Sequence, residues 1–461
     1  MRKHRLRTVV ALAAAVLAAA TGARSQPDPE GRSDDPRPAV RAGMLFVEPV
    51  EFPVDSTPNA RLDVLYRVDQ SFFVATRDGD RSQSAEPLSR EGEMVLEVAD
   101  DRGVTLARQI RRFFAGAAPA DSLAPSSFFS GVASFRIPRG PFSIVTELTD
   151  LRSTRRFVDR QPGPRPPPIA DIRRFSSPVF VEWSSTTPRP DTLQPLNYGG
   201  NLLFGRQAAL WALLDAPPTQ GTGSLAFTFS IIELNRQDSA FRIRDTTVIP
   251  VMFRRPAPEA HTVDQRVVYT FPASGADSLT SLLVPIPSEQ LPLRRFRLIG
   301  RLTMGDRTFP LVRTFAMVWP DMPLSLRNVE SAIEALRPIT TEALRDSLLE
   351  GEFEEQRDKL EAWWARRDPT PGTAYNEVMT QYYRRVDHAL RSFATLRSPD
   401  GTRTDRGRIY IRYGPPTRAE RTLDPVQGFR ERWIYEGSKR EFIFRDERRS
   451  GDYELVEGGG R

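Results

Sequence analysis

The chain contains no cysteine in 461 residues. Disulfides, thiolate-bound metals and a lipid-modified cysteine anchor are therefore excluded, and stability has to come from the size and packing of a core. Lysine is nearly absent, with Lys3, Lys359 and Lys439 the only ones. Almost every cation is arginine, which keeps its charge at any accessible pH and pairs with carboxylates through a two-pronged fork. Histidine is equally scarce: beyond His4 there are His261, read as a loop residue after Pro256-Ala257-Pro258, and His388, read as a helix-face residue beside Asp387. No His-Glu-x-x-His and no cysteine pair occurs, so no metal site is expected. The chain has no Gly-x-Ser-x-Gly elbow and no Gly-x-x-x-x-Gly-Lys loop. That removes the usual serine-hydrolase and nucleotide-binding signatures, and no cofactor is expected.

The positive charge is no nucleic-acid signal either. The formal net charge is +6. However, Arg2, Lys3, Arg5 and Arg7 precede an apolar run over residues 9–20, followed by small residues at Gly22, Ala23 and Ser25. This is the layout of a cleaved secretory signal over residues 1–25, with cleavage after Ala23 or Ser25. The run is short for a membrane span, so none is expected after cleavage. Removal of those four cations and Arg24, with no acid lost, leaves +1. A nucleic-acid partner, which needs a large cationic surplus, is not expected. The reading is of an exported protein in the periplasm, with the cell surface or the medium as alternatives.

What is present is organised in blocks, with 40 prolines marking the joints. Residues 26–40 are polar, acidic and proline-rich and read as a disordered leader. Residues 41–160 show period-two runs: Leu62, Val64, Tyr66 and Val68 alternate with Arg61, Asp63, Leu65 and Arg67. Turns at Asp100-Asp101-Arg102-Gly103 and Pro138-Arg139-Gly140-Pro141 break the runs, the pattern of a β-sandwich. Residues 161–175 form a stiff proline-rich linker. A second β-sandwich-like unit covers residues 176–320, with Leu225, Phe227, Phe229 and Ile231 alternating.

The period then changes. Over residues 321–398, Phe353, Leu360 and Trp364 share a helical face, as do Val378, Tyr382, Val386, Ala389 and Phe393. Pro369 and Pro371 split these helices into a hairpin with Thr373 as the expected N-cap. Residues 399–457 read as a β-rich terminal element, with strands over 408–413, 432–435, 441–445 and 453–456, and residues 458–461 as a flexible tail. The fold class is thus multidomain and mainly β: two tandem β-sandwich-like domains, a helical hairpin and a small α+β C-terminal domain.

One ordered block is denser than the rest. It includes Trp363-Trp364-Ala365-Arg366-Arg367-Asp368-Pro369-Thr370-Pro371-Gly372-Thr373, Asn376-Glu377 and Tyr382-Tyr383-Arg384-Arg385. It continues through Gly401-Thr402-Arg403-Thr404-Asp405-Arg406-Gly407-Arg408-Ile409-Tyr410-Ile411 to Tyr413-Gly414-Pro415-Pro416. This region resembles the GWxTD domain family of exported proteins from Gram-negative bacteria, with Thr402 where the family's naming tryptophan falls. The resemblance implies no established activity.

Two chemistries compete for the block. Asp368, Glu377 and Asp405 are candidates for a carboxylate pair of the kind that hydrolyses glycosidic bonds. The alternative is a lattice in which Arg367, Arg384 or Arg385, and Arg406 neutralise these carboxylates. Of Trp363, Trp364, Tyr382 and Tyr383, the default reading is core, and Trp363 and Tyr383 are the candidates for an exposed aromatic platform. The candidate surface therefore comprises Trp363, Arg366, Arg367, Asp368, Asn376, Glu377, Arg384, Arg385, Thr404, Asp405, Arg406, Arg408 and Tyr410. The expected role is a non-catalytic envelope module that recognises a protein or glycan. The alternative is a carboxylate-dependent hydrolase of an envelope polymer.

Overall fold

The structure is a computed structural model. It describes residues 43–458 except 53–58, 78–87, 117–127, 164–175, 184–190, 215–224, 235–241, 275–277, 306 and 425–427. The expected signal segment, leader and most of the proline-rich linker lie outside the described residues.

The first sandwich pairs two antiparallel sheets. Leu45–Phe52, Asn59–Asp69 and Phe128–Pro138 form one. The other runs from the edge strand Thr105–Gly116 through Leu88–Asp100 and Phe142–Asp150 to Arg156–Pro162. Rings lock the sheets face to face: Phe113 of the second stacks on Phe129 of the first at 4.8 Å, with Tyr66 6.1 Å from Phe113. The strand Arg156–Pro162 extends past Gln161, where the linker was expected to begin.

The second sandwich places a four-stranded sheet, with Ala208–Leu214 inside it, against a five-stranded one. The five-stranded sheet includes Leu225–Glu233, Arg242–Val248, Arg295–Met304 and Arg307–Val318. Leu210, Leu214 and Val284 meet Phe227, Phe296 and Phe315 in its core. Every residue of Ala208–Leu214 is buried. The opposite face of that strand carries Trp211, which packs on Tyr269 at 5.0 Å and Phe52 at 6.2 Å.

Phe52 belongs to the first sandwich, so the two β units share a core. Val50, Phe52 and Leu65 cluster with Val181, Trp211, Tyr269 and Leu283. Polar ties follow the same seam: Asn197 Nδ2 donates to the Tyr66 carbonyl at 2.9 Å, Arg61 to the Pro258 carbonyl at 2.6 Å, and Arg313 pairs with Glu48. The units are therefore not independent beads on a spacer. His261, expected in a loop, sits in the strand Glu259–Val263 paired with Arg266–Thr270.

Among the described residues after Trp319 there are five α-helices: α1 Val329–Glu334, α2 Glu342–Leu349, α3 Phe353–Ala365, α4 Glu377–Ser392 and α5 Asp405–Tyr413. Asn328, Thr341, Asn376 and Thr404 cap four of them through side-chain oxygens that accept backbone N–H groups. Asn376, not Thr373, starts α4; the Thr373 hydroxyl donates to the Thr370 carbonyl instead. A four-stranded antiparallel meander closes the chain: Arg418–Asp424, Gly428–Tyr435, Arg440–Asp446 and Glu454–Glu457. Helices and meander share one core, in which Trp364, Tyr383 and Val386 join Ile411, Trp433 and Phe444.

Residues 408–413, expected as a strand, are helical in α5. The Thr404 hydroxyl caps the Gly407 N–H at 3.0 Å, and the helix stops at Gly414, whose φ of 84° suits glycine. The helix buries Gly407 and Ile411 on one face, a spacing of four that overrides the β preference of Ile409, Tyr410 and Ile411.

Candidate functional site

The residues 401–405 form a joint. Asp400 Oδ1 accepts from the Thr402 N–H at 3.0 Å and its hydroxyl at 2.6 Å, which folds Gly401–Arg403 into a 3₁₀ turn. Gly401 lies against the end of α4: a methyl group there would fall 2.1 Å from the Ala389 carbonyl oxygen. The Thr404 hydroxyl donates to the Gly401 carbonyl at 2.8 Å while capping α5. Gly407 admits that same carbonyl, which a methyl group would meet at 1.9 Å. Asp405, the first residue of α5, uses both oxygens: Oδ2 accepts the Leu455 N–H at 2.7 Å and Oδ1 accepts from Arg408. The helix is thereby fixed to the last strand of the meander, with the carboxylate at the favourable N-terminal end of α5.

Around this joint the side chains are mutually engaged. Arg406 donates to Glu431 at 3.1 Å and to the Gly451 carbonyl at 3.3 Å, over the rings of Tyr453 and Phe393 at 4.1 and 5.1 Å. Tyr410 stacks on His388 at 4.3 Å, and burial pushes the Tyr410 phenol upward while nearby Arg385 opposes it. Burial, then the charge of Arg391, holds His388 below its ordinary value. Arg385 donates to the carbonyls of Ile411 and Arg412 at 3.4 and 3.5 Å, placing a cation at the C-terminal end of α5. A shallow cavity of 180 Å³ beside the joint is lined by Thr395, Arg397, Asp405, Arg406, Asp452 and Glu454, among others. Thr395 donates to Asp452 there.

The loop between α3 and α4 gathers a second group. Arg367 lies over the Trp363 ring at 3.7 Å and donates to its carbonyl at 2.9 Å. Asn376 both caps α4 and donates to the Trp364 carbonyl at 3.0 Å. The Thr370 hydroxyl lies 2.8 Å from Glu377 Oε2 and 3.3 Å from Asp368 Oδ1, and Asp368 also accepts the Thr370 N–H at 2.8 Å. Arg366 and Glu377 are exposed. Arg384 leaves this group and pairs with Asp321.

Two expectations need correction. Trp363 and Tyr383 form no exposed platform: with Trp364 and Tyr382 they are buried, and Tyr383 is fully so. The Tyr383 hydroxyl donates to the Ala332 carbonyl at 2.9 Å and accepts from Trp364 Nε1 at 3.3 Å, which draws α1, α3 and α4 together. The arginine lattice also has different partners. Asp405 pairs with Arg408 rather than Arg406, Arg384 with Asp321 rather than Glu377, and Asp368 binds Thr370 rather than Arg367. Asp368 and Glu377 come together, while the cavity holds Asp405 without them.

Sequence reasoning missed Asp387. It is buried, and its carboxylate accepts the N–H groups of Leu324 and Ser325 at 2.6 and 2.9 Å, tying the entry segment to α4. Its signal was an acid beside Val386 on the apolar face of a helix. Asp446 does the same for the Ser450 and Gly451 N–H groups.

Residues 311–458 match the family model described as GWxTD domain. The match starts inside Arg307–Val318 and runs past the last strand of the meander. No curated protein matches the chain. Solved structures with some likeness include one described as BspA_C_WT, at 9% identity over 59% of this chain and 100% of that chain, with a TM-score of 0.14. The N-terminal domain of the Streptococcus gordonii adhesin Sgo0707 is 9% identical over 56% of this chain and 60% of that one, with a TM-score of 0.12. The collagen adhesin from S. aureus is 8% identical over 60% and 94%, also at 0.12. TM-scores this low give these likenesses no weight for fold or function.

Proposed function

We propose that this chain, whose last third is a GWxTD domain, is an exported, non-catalytic module of the bacterial envelope that recognises a protein or glycan partner. The observation that carries the reading is the state of Asp405. Both of its oxygens are used inside the fold, by Leu455 and Arg408, so the aspartate of the signature acts as a clasp rather than as a reacting group. The shared core of the two sandwiches supports a rigid platform beneath the terminal domain. The exposed loop between α3 and α4, with Arg366, Asp368, Thr370 and Glu377, is the recognition surface in this account.

Crosslinking in the native cells, followed by mass spectrometry of captured partners, tests it. A specific envelope partner lost in Arg366→Glu/Glu377→Arg supports the reading; partners indifferent to that pair remove the loop as the surface. The second reading rests on the Thr370 hydroxyl, which lies between two carboxylates. Release of sugars from envelope glycans by the purified chain, abolished in Asp368→Asn, would establish a hydrolase and displace the first reading.

A further inference from the structure

The outward face of the five-stranded sheet carries more arginines than acids. In Arg295–Met304 the burial alternates, so Arg295, Arg297, Ile299 and Arg301 all point away from the core. Arg242 joins them from the neighbouring edge, because it stands opposite Ile232, which itself stands opposite Arg297. The positions between mix hydroxyls with aliphatic side chains: Thr228, Ser230 and Thr314 beside Ile232, Ile299, Pro310 and Val312, the last 49% exposed. Among the described residues, no carboxylate pairs with any of the four arginines; the one acid beside them is Asp245, within reach of the Ser230 hydroxyl at 3.4 Å.

This is unlike the other exposed sheets of the same molecule. The outer face of the first sandwich interleaves signs, with Arg112–Glu93 at 3.2 Å and Arg156–Glu147 at 2.8 Å. The terminal meander does likewise, with Arg418–Glu420 at 2.7 Å and Arg432 paired with Glu441. Unpaired arginines cost solvation nothing when exposed, but four on one face repel each other unless an anion covers them. Residues two apart on a strand sit about 7 Å from each other, so the forks of Arg295 and Arg297 can each take a separate phosphate. Among the described residues no aromatic ring stands on the outward positions, so they offer no platform on which nucleobases or sugar faces would stack. A broad sheet face also matches an extended surface better than a single chain lying in a groove.

We propose that this face docks on the phosphate-bearing anionic headgroups of a membrane surface. It is a peripheral contact: arginine forks engage headgroup phosphates, and threonine hydroxyls and Val312 fill the spaces between. Each arginine near an anionic surface is worth about a fivefold change in affinity. The surface lies on a different domain from the recognition loop, so it stands or falls independently of that reading.

The test is vesicle co-sedimentation of the full chain with equal parts phosphatidylglycerol and phosphatidylcholine, against phosphatidylcholine alone. Binding should require phosphatidylglycerol and weaken as salt rises. Arg297→Gln/Arg301→Gln should weaken it about 25-fold. A control pair on the first sandwich, Arg108→Gln/Arg160→Gln on the strands Thr105–Gly116 and Arg156–Pro162, should leave it unchanged. If the double variant does not fold by circular dichroism, Arg242→Gln at the sheet edge should still cost about fivefold. Equal weakening by both double variants, no preference for phosphatidylglycerol, or retention on DNA or an anionic polysaccharide without vesicle binding would overturn the proposal.

Discussion

The carboxylate of Asp405 accepts the backbone N–H of Leu455 at 2.7 Å, a bond that closes fifty residues of chain. It joins the first residue of α5 to an edge strand whose amide would otherwise lack this partner. Hydrogen bonds to a charged acceptor contribute about 1.5–3 kcal/mol. Asp405→Ala should therefore lower the unfolding free energy by about that amount. Asp405→Asn keeps an acceptor oxygen and should cost less. Urea unfolding of the three proteins checks the order.

Two glycines give a sharper test of the joint. In an ordinary helix, glycine to alanine stabilises by about 1 kcal/mol. At Gly407 the sign should reverse, because the added methyl group meets the Gly401 carbonyl at 1.9 Å. Gly401→Ala should destabilise as well, since its methyl group meets both the Ala389 carbonyl and the Ala394 nitrogen, and in neither variant can backbone swing aside as a side chain can. Thermal melting of both variants decides; a stabilised Gly407→Ala would contradict the geometry.

Tyr383→Phe removes one hydroxyl that serves two buried partners, the Ala332 carbonyl and Trp364 Nε1. The loss should be about 1–3 kcal/mol, the cost of leaving buried polar groups unsatisfied. Unfolding followed by tryptophan fluorescence reads it directly, since Trp364 is in contact.

His388 should make stability depend on pH. Its folded value lies below the ordinary 6.5, through burial and then the charge of Arg391. Between the two values the unfolded chain binds more protons, so stability rises with pH. The contribution is fully present above about pH 6.5 and is lost as pH falls through the lower folded value. His388→Gln should flatten that part of the profile measured by urea unfolding across pH 5 to 8.

The sequence made the sandwiches legible wherever one strand face is buried and the other wet. Leu225, Phe227, Phe229 and Ile231 alternate, and the strand Leu225–Glu233 needed only period two to be read. Asn59–Asp69 shows why that rule also misled. Its apparent solvent face, Arg61, Asp63, Leu65 and Arg67, is covered by the second sandwich. Asp63 is fully buried beneath Arg61, and Arg67 lies over the rings of Phe128 and Tyr198. Polar residues satisfied across a domain seam look the same in sequence as polar residues in water. The helix α5 was hidden for a different reason. Ile409, Tyr410, Ile411 and Tyr413 favour strands, and only the Thr404 cap, Gly407 and Gly414 marked a short helix. At the site, the grouping of Asp368 with Glu377 was visible only as part of a larger candidate set that included Asp405. The role of Asp405 was not, because its partner is a backbone amide fifty residues away.

The central claim is that Asp405 holds the terminal domain together while the loop between α3 and α4 meets the partner. The measurement that tests it most directly is in-cell partner capture by Asp405→Asn and by Arg366→Glu/Glu377→Arg, each first shown to be folded. The account predicts that folded Asp405→Asn captures the same partners as the native chain and that the loop pair loses them. A folded Asp405→Asn that captures nothing, beside a loop pair that captures everything, would contradict it.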